Sequence, residues 1–225
     1  MFCSSVLGAD WPQYHGPNSN RTTDEVIQNT DWGDKKPKQL WSAMTPTGFS
    51  SMILADGAAY TTISEEIDGI PSEVCISFDA ESGETRWKAN LDLWRVDNGG
   101  GNAGAPNNKG GDGPRTTPSY SDGKIYAYTS DMLLICLSAK DGSEVWSVEV
   151  AKTHKGRNIR WENASAPLIE DDMVIIQGGG PGESFLAFDK NNGKLKWKTG
   201  DYLMTHATPV ATEINKQRQI LFFTQ

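Results

Sequence analysis

The stretch "AFDKNNGKLKWKTG", Ala187–Gly200, decides the fold of this chain. It contains an apolar pair, an acidic residue, a polar turn that ends at Gly193, and a second run that alternates up to Trp197. Glycine supplies the positive φ that closes a short turn, so two alternating runs around such a turn predict a β-hairpin. A single hairpin fits any all-β protein, and its repetition along the chain indicates the architecture.

The same hairpin occurs twice more, as "SFDAESGETRW" from Ser77 and "CLSAKDGSEVW" from Cys136. Each copy has a small residue, a turn closed by Gly, then three residues and a Trp. Large indoles can fill the room beside small residues, so we expect all three to pack between neighbouring units: Trp87, Trp146 and Trp197. Acidic side chains before the turn are predicted to accept its N–H groups, with a serine as substitute in the middle copy: Asp79, Asp189 and Ser138.

A second element precedes each hairpin: a short run that usually opens with Pro, a polar turn, and a longer apolar strand. Proline at the start of a strand costs no ladder hydrogen bond, which suits an innermost strand. Four antiparallel strands in about 50 residues, repeated side by side, predict an all-β fold, a β-propeller of four-stranded blades. The predicted units are a looser first blade, two full blades and the start of a fourth: Ser50–Leu91, Arg115–Val150, Ser165–Asp201 and His206 onward.

The repeat resembles the tryptophan-docking repeat of the pyrroloquinoline quinone (PQQ) dehydrogenases and of their non-catalytic relatives, such as the outer-membrane assembly factor BamB. The runs "ADWPQYHGPNSNR" and "GDGPRTTPSYSDGKIY" are similar to secreted bacterial PQQ-like propeller proteins. The resemblance implies a partial ring, about three to four blades of a seven- or eight-bladed propeller. "PKQLWSAM", Pro37–Met44, resembles a Trp-bearing outer strand without a blade of its own. The predicted division is a signal-peptide remnant at 1–9, an N-terminal extended segment at 10–36, and the partial propeller at 37–225.

Amino-acid composition bears on which partners the chain can bind and on where the protein is located. A net charge of −8 argues against binding to nucleic acid, and no run of 18 apolar residues predicts a membrane span. The small, apolar residues "MFCSSVLGA" match the tail of a secretory signal, which predicts a periplasmic or extracellular protein of a bacterium; a frayed terminus is the alternative. Cys75 and Cys136 lie in apolar runs and are predicted to be buried free thiols, with a disulfide between them as the alternative.

A ligand site is predicted where the loops that enter the innermost strands converge, at one mouth of the channel. The candidate cofactor-binding residues there are Arg115, Trp161, Glu162, Asn163 and His206. Trp161 can stack on a planar ring, Glu162 and Asn163 offer oxygens to a hard cation such as Ca²⁺, and Arg115 can hold a carboxylate. The alternative is that these groups bond only loop backbone and solvent.

The Gly- and Asn-rich segment Arg95–Arg115 has two interpretations. Asp97, Asn98, Asn102 and Asp112 make it a candidate lid or metal loop. The other interpretation is an insertion between blades. No "GxxxxGK[ST]" occurs, so a phosphate loop is not predicted.

Two functions stay open. One is a non-catalytic binding or scaffold module whose mouth holds a protein or a small-molecule or carbohydrate ligand. The other, implied by the resemblance, is a dehydrogenase that uses PQQ and Ca²⁺ to oxidise alcohols or sugars. Enzymes of that family generally carry adjacent cysteines near the cofactor, and this sequence contains no Cys-Cys pair. The sequence therefore favours the binding module, with PQQ and Ca²⁺ retained as candidate cofactors.

Overall fold

The computed structural model describes residues 8–26, 31, 33, 38–94, 113–159 and 162–225. Over these residues the chain forms three four-stranded antiparallel sheets and one two-stranded hairpin. The helix in this part of the chain, α1 at Val150–Thr153, has four residues, and no helix of the described ranges is long and apolar enough to cross a membrane. Most of the predicted signal remnant, most of the Gly- and Asn-rich segment, and Trp161 lie outside the described residues.

Each sheet is one blade, and its strands pair in chain order. Blade A contains β1 Ile53–Ala55, β2 Ala58–Ile67, β3 Ile70–Asp79 and β4 Thr85–Leu93. Blade B contains β5 Ser119–Ser121, β6 Lys124–Tyr128, β7 Leu133–Ser138 and β8 Glu144–Glu149. Blade C contains β9 Leu168–Glu170, β10 Met173–Gly180, β11 Glu183–Asp189 and β12 Leu195–Thr199, and the hairpin is β13 Val210–Ile214 with β14 Gln217–Leu221. The all-β propeller prediction is confirmed, but blade A is not looser than the others, because its strands β2 and β3 each have 10 residues.

The blades are arranged radially, since the first strands β1, β5, β9 and β13 lie next to one another in that order. Side-chain hydroxyls join neighbouring blades just before these strands. The Ser51 N–H donates to Thr117 Oγ1 at 3.0 Å, and the Ala166 N–H donates to Thr208 Oγ1 at 3.0 Å. These bonds recur at equivalent repeat positions, which holds the inner strands side by side around a central channel.

The hydrophobic core lies between blades. One cluster joins Ile53 and Tyr60 of blade A to Ile125 and Ile135 of blade B. A second cluster joins residues of blade B to residues of blade C, among them Tyr126, Leu134, Val174 and Leu186. Both described cysteines are buried free thiols, as predicted, and burial raises the pKa of each to about 12: Cys75 and Cys136. Each blade therefore buries its faces against its neighbours, as a propeller requires.

The tryptophans of the repeat dock on the outer turn of the next blade. The Trp146 indole N–H donates to Lys190 O at 3.1 Å, and the ring lies against Gly193. A Cβ added at Gly193 would meet the indole at 2.7 Å, and this glycine has φ of 69°. Both the close contact and the backbone conformation therefore require glycine here. Trp87 makes the same contacts one blade earlier, with its N–H bonded to Ala139 O at 2.9 Å.

Two further tryptophans, Trp41 and Trp197, follow part of this docking pattern. Trp41 lies in the segment that resembles an outer strand; the segment has no strand hydrogen bonding, yet its indole N–H donates to Ala80 O at 2.9 Å and its ring covers Gly83. Trp197 is partly buried against the cluster that contains Ala211. The expectation of indoles between blades is thus confirmed for Trp87 and Trp146, with Trp146 only partly buried.

The turn acceptors follow the prediction in two copies of three. Asp79 Oδ1 accepts the Ser82 N–H at 2.9 Å, and Asp189 Oδ1 accepts the Asn191 N–H at 2.8 Å. In the middle copy the serine prediction is wrong, because no turn N–H among the described residues donates to the Ser138 hydroxyl. Asp141 accepts the Ser143 N–H at 3.1 Å, as Ser82 and Asn192 accept the equivalent N–H groups in the other two copies.

Candidate functional site

Loops from four successive repeats meet at one end of the channel, which we call the mouth. The Phe49 N–H donates to Pro114 O at 2.7 Å, and the Arg115 guanidinium lies 5.6 Å from the centre of the Phe49 ring. Arg115 Nη1 is 3.9 Å from Glu162 Oε2, and His206 Nε2 is 3.1 Å from Glu162 O. The structure therefore brings together three of the predicted residues, Arg115, Glu162 and His206.

Two glycines allow the mouth loop of blade A to lie this close to the loop of blade B and to its own strand β2. A Cβ added at Gly113 would meet Thr47 O at 2.6 Å, and one added at Gly48 would meet Thr62 O at 2.9 Å. Real Cβ atoms do not approach backbone oxygen so closely, so any larger residue would push the loops apart. This contact sets the position of the adjacent Arg115.

The Arg115–Glu162 pair is shielded from water, with side-chain exposures of 16% and 10%. At 3.9 Å the contact is an ion pair without a direct hydrogen bond between those two atoms. Glu162 has φ of 63°, a left-handed conformation that costs a non-glycine residue about 1–3 kcal/mol. Its N–H bonds Ile159 O at 2.9 Å, and its carbonyl accepts from His206, so the surrounding contacts hold the strained backbone in place.

His206 lies at the rim of the mouth, where the residue is open to solvent on one side and its ring is partly covered on the other. Because a carbonyl oxygen only accepts, the imidazole Nε2–H is the donor to Glu162 O. Partial burial of the ring, followed by the positive charge of Arg115, lowers the pKa of His206 below 6.5. The imidazole is therefore neutral at pH 7 and presents a polar, uncharged edge.

Asn163 has a structural role, because both ends of its side-chain amide bond the backbone. It is fully buried; its Nδ2 donates to Tyr128 O and Thr129 O, each at 3.2 Å, and its Oδ1 accepts the Ser165 N–H at 2.9 Å. Both ends of the amide are used to join the loop before β9 to the end of β6. A Ca²⁺ ion takes six to eight oxygen ligands, and a pair made of this engaged amide and the ion-paired Glu162 does not fit such a site. We therefore assign no catalytic step to a metal or quinone here.

Glu73 is a buried acid beside the mouth that the repeat pattern does not predict. Its Oε2 accepts the Ser130 N–H at 3.0 Å, while its Oε1 has no hydrogen-bond partner among the described residues. Burial, opposed by the Ser130 bonds, raises its pKa to about 8, and the charges of Asp92 and Glu162 add to the effect. Ser130 O in turn accepts the Asn163 N–H at 3.3 Å, which links this acid to the mouth loops. The available sequence signal is a lone acid in the apolar run "EVCISF".

Comparison with known proteins agrees with the repeat. A family model described as outer membrane protein assembly factor BamB, built on PQQ-like repeats, matches residues 71–225. The chain belongs to this PQQ-like repeat family. The match begins in strand β3 of blade A and covers blades B and C and the hairpin, so the predicted relationship is confirmed for most of the chain.

Individual PQQ-like relatives are quinone-dependent enzymes. The chain is 37% identical over 86 residues to the dehydrogenase subunit of alcohol dehydrogenase (quinone) of Gluconacetobacter polyoxogenes, covering 36% of this chain and 12% of that protein. It is 30% identical over 172 residues to quinohemoprotein alcohol dehydrogenase ADH IIB of Pseudomonas putida, covering 73% of this chain and 22% of that protein. The crystal structure of quinohemoprotein alcohol dehydrogenase from Comamonas testosteroni matches with a TM-score of 0.58 and 23% identity, covering 84% of this chain and 26% of that one. The chain thus spans less than a quarter of the curated relatives described, and the structural match shows the shared propeller fold.

Proposed function

We propose that this PQQ-like propeller is a non-catalytic binding or scaffold module that holds a protein ligand at its mouth. The family description, an assembly factor for outer membrane proteins, supports a role in holding other proteins and a periplasmic or extracellular location in a bacterium. The apolar residues 1–9 support the same location. Cell fractionation tests the location, and recovery in the cytoplasm would contradict it.

The observation that carries the proposal is the engagement of the mouth's polar groups with one another and with backbone. The Asn163 amide donates to backbone carbonyls, and Glu162 lies against Arg115 and His206. These contacts fix the shape of the mouth and leave the Phe49 ring 47% exposed beside the guanidinium. Aromatic residues and arginine are enriched in protein interfaces and in their hot spots.

The test is binding of the full chain to an array of extended peptides of varied charge and aromatic content. We expect retained peptides to lose about tenfold or more in affinity when Arg115 becomes Ala, the loss typical of a hot-spot residue. Arg218→Ala is the control, because Arg218 on β14 is also ion-paired, with Glu170 on β9, but lies outside the mouth. No retained peptide, or equal losses in both variants, would contradict a protein ligand. Retention on a carbohydrate array alone would instead assign a sugar ligand.

The second candidate is a PQQ- and Ca²⁺-dependent dehydrogenase that oxidises alcohols or sugars, and the identity with quinone alcohol dehydrogenases favours it. The full chain is incubated with PQQ and Ca²⁺, and dye reduction is followed with ethanol and glucose. We expect no turnover above background, because the Glu162–Asn163 pair does not fit the cation. Turnover that Glu162→Gln abolishes would overturn the scaffold proposal.

A further inference from the structure

The N-terminal residues Trp11–Gln13 contact the inner strand of every complete blade. The Trp11 N–H donates to Leu54 O at 2.8 Å, and the Leu54 N–H donates back to Trp11 O at 3.1 Å. The Tyr120 N–H donates to Pro12 O at 2.7 Å, and the Ile169 N–H donates to Gln13 Oε1 at 3.3 Å. Three consecutive residues therefore supply one acceptor to each of blades A, B and C.

The three donors occupy equivalent places in the repeat. Leu54, Tyr120 and Ile169 are each the middle residue of a three-residue inner strand, β1, β5 or β9. An innermost strand has one edge paired within its blade and the other edge turned toward the channel. The N–H groups on these edges are not used by the blade's own strands and form a row around the channel. Residues Trp11–Gln13 follow that row.

The residues after Gln13 fold back into a packed body, and we call Trp11–Arg21 the strap. Backbone bonds join Gly16 N to Gln13 O at 2.8 Å and Ser19 N to Gly16 O at 3.2 Å, and the Trp11 ring covers Gly16. Gln13, His15 and Ser19 are buried although they belong to no helix or strand. Contacts of this kind indicate a bound segment with a defined conformation.

The strap lies at the channel end opposite the mouth. Each inner strand runs from its mouth loop toward the turn that leads to the second strand. In blade B, Arg115 lies at the mouth, whereas Tyr120 lies just before the turn between β5 and β6 and its hydroxyl bonds Asp56, which lies in the corresponding turn of blade A. The two ends of the same inner strands thus carry two separate sites.

We propose that this far end of the channel is a peptide-binding site whose ligand is the chain's own strap. The recognition chemistry is the row of inner-strand N–H groups, which takes the carbonyls of Trp11 and Pro12 and the side-chain oxygen of Gln13. Proline fixes its own φ and biases Trp11 toward an extended backbone, so the ligand is ordered before it binds. Bound in this way, the strap ties the inner strands of three blades together at this end of the channel.

The test cuts the strap away from the rest of the chain after the protein has folded. A protease site is inserted between Val26 and Lys38 of the full chain, and the purified, folded protein is cut. We expect the released N-terminal piece to co-elute with the propeller in size-exclusion chromatography and to exchange with a labelled synthetic peptide of residues 8–26, followed by fluorescence anisotropy. Hydrogen exchange at Tyr120 and Ile169 should speed up only when the peptide is washed out.

Variant peptides show whether the contacts seen here carry the binding. Gln13→Ala removes the acceptor for Ile169 and should weaken binding about tenfold. Tyr14→Ser is the matched control, because Tyr14 is 42% exposed, and it should bind like the natural peptide. If the cut piece separates and the labelled peptide does not bind, while near-ultraviolet circular dichroism shows a folded protein, the proposal is wrong. Equal weakening by both variants would also overturn it.

Discussion

Replacement of Glu73 by Gln is expected to stabilise the protein at alkaline pH and to leave its stability nearly unchanged near pH 5. Glu73 is fully buried, its Oε2 accepts the Ser130 N–H, and Asp92 lies directly opposite on β4. Burial raises the pKa of Glu73 to about 8, so the folded protein holds this carboxyl protonated near neutral pH. Glutamine has almost the same shape, offers an oxygen to the Ser130 N–H, and never ionises.

Proton linkage gives the sign and the size of the change in unfolding free energy caused by Glu73→Gln. In the unfolded chain Glu73 has the ordinary pKa of 4.5, below its folded value of about 8. Between these two values the folded state keeps a proton that the unfolded state has released, so the free energy of unfolding falls as pH rises. Each pKa unit corresponds to about 1.4 kcal/mol, which limits the loss to about 5 kcal/mol once pH exceeds 8. Because a buried site relaxes around a charge, we expect the Gln variant to gain about 2–4 kcal/mol near pH 9.

The assay is urea denaturation of the full chain and of the variant near pH 5, 7 and 9, and the measured quantity is the difference in free energy of unfolding. Glu183→Gln is the control with the opposite sign. The hydrogen bond from Lys198, and then that from His154, lowers the pKa of Glu183, so its ionised form stabilises the fold above pH 4.5 and this contribution is lost in acid. The control should be less stable near pH 7 and approach the natural protein as pH falls. If the natural protein and the Glu73 variant show the same pH dependence from pH 5 to 9, the reasoning is refuted.

Two further predictions concern the docking of tryptophan on glycine. Trp146→Ala should cost about 3 kcal/mol of unfolding free energy, and Trp146→Phe clearly less, because Phe keeps much of the packing and loses only the bond to Lys190 O; equal costs in denaturation would contradict the docking role. Gly193→Ala should destabilise more than Gly182→Ala. Both glycines have φ of 69°, but only at Gly193 would the added Cβ meet an indole, at 2.7 Å, so equal losses would show that backbone strain alone matters.

The blades were predictable because their determinants are local. Alternation, Gly-closed turns and the small residue before each turn lie within one repeat, and the structure pairs each small residue with its Trp across adjacent strands: Ser77 with Trp87, Cys136 with Trp146, and Ala187 with Trp197. Convergence of the mouth loops also followed, since the order of strands in a blade places every entry loop at one end. The repeat therefore predicts which residues come near Arg115, although not how they bond.

The remaining features depend on contacts between distant parts of the chain. Nothing in the repeat relates Gln13 to Ile169, because the strap has no periodic pattern and its partners are backbone N–H groups that every residue offers. Asn163 illustrates the same limit at the mouth. Its residue type suits a cation or a backbone carbonyl equally well, and only the positions of Tyr128 O and Thr129 O decide between them.

Glu73 and Glu183 show why the repeat determines the fold and not the site. Each lies four residues before the small residue that faces a docking Trp, so the two acids hold the same place in blades A and C. Bonds from Lys198 and His154 lower the pKa of Glu183, whereas burial, with smaller additions from the charges of Asp92 and Glu162, raises the pKa of Glu73 to about 8. The backbone frame is shared, and the difference comes from side chains supplied by neighbouring strands and loops. Those neighbours vary from blade to blade without disturbing the Trp–Gly docking that holds the ring together, so a propeller of this family can keep its fold while its mouth changes from one ligand chemistry to another.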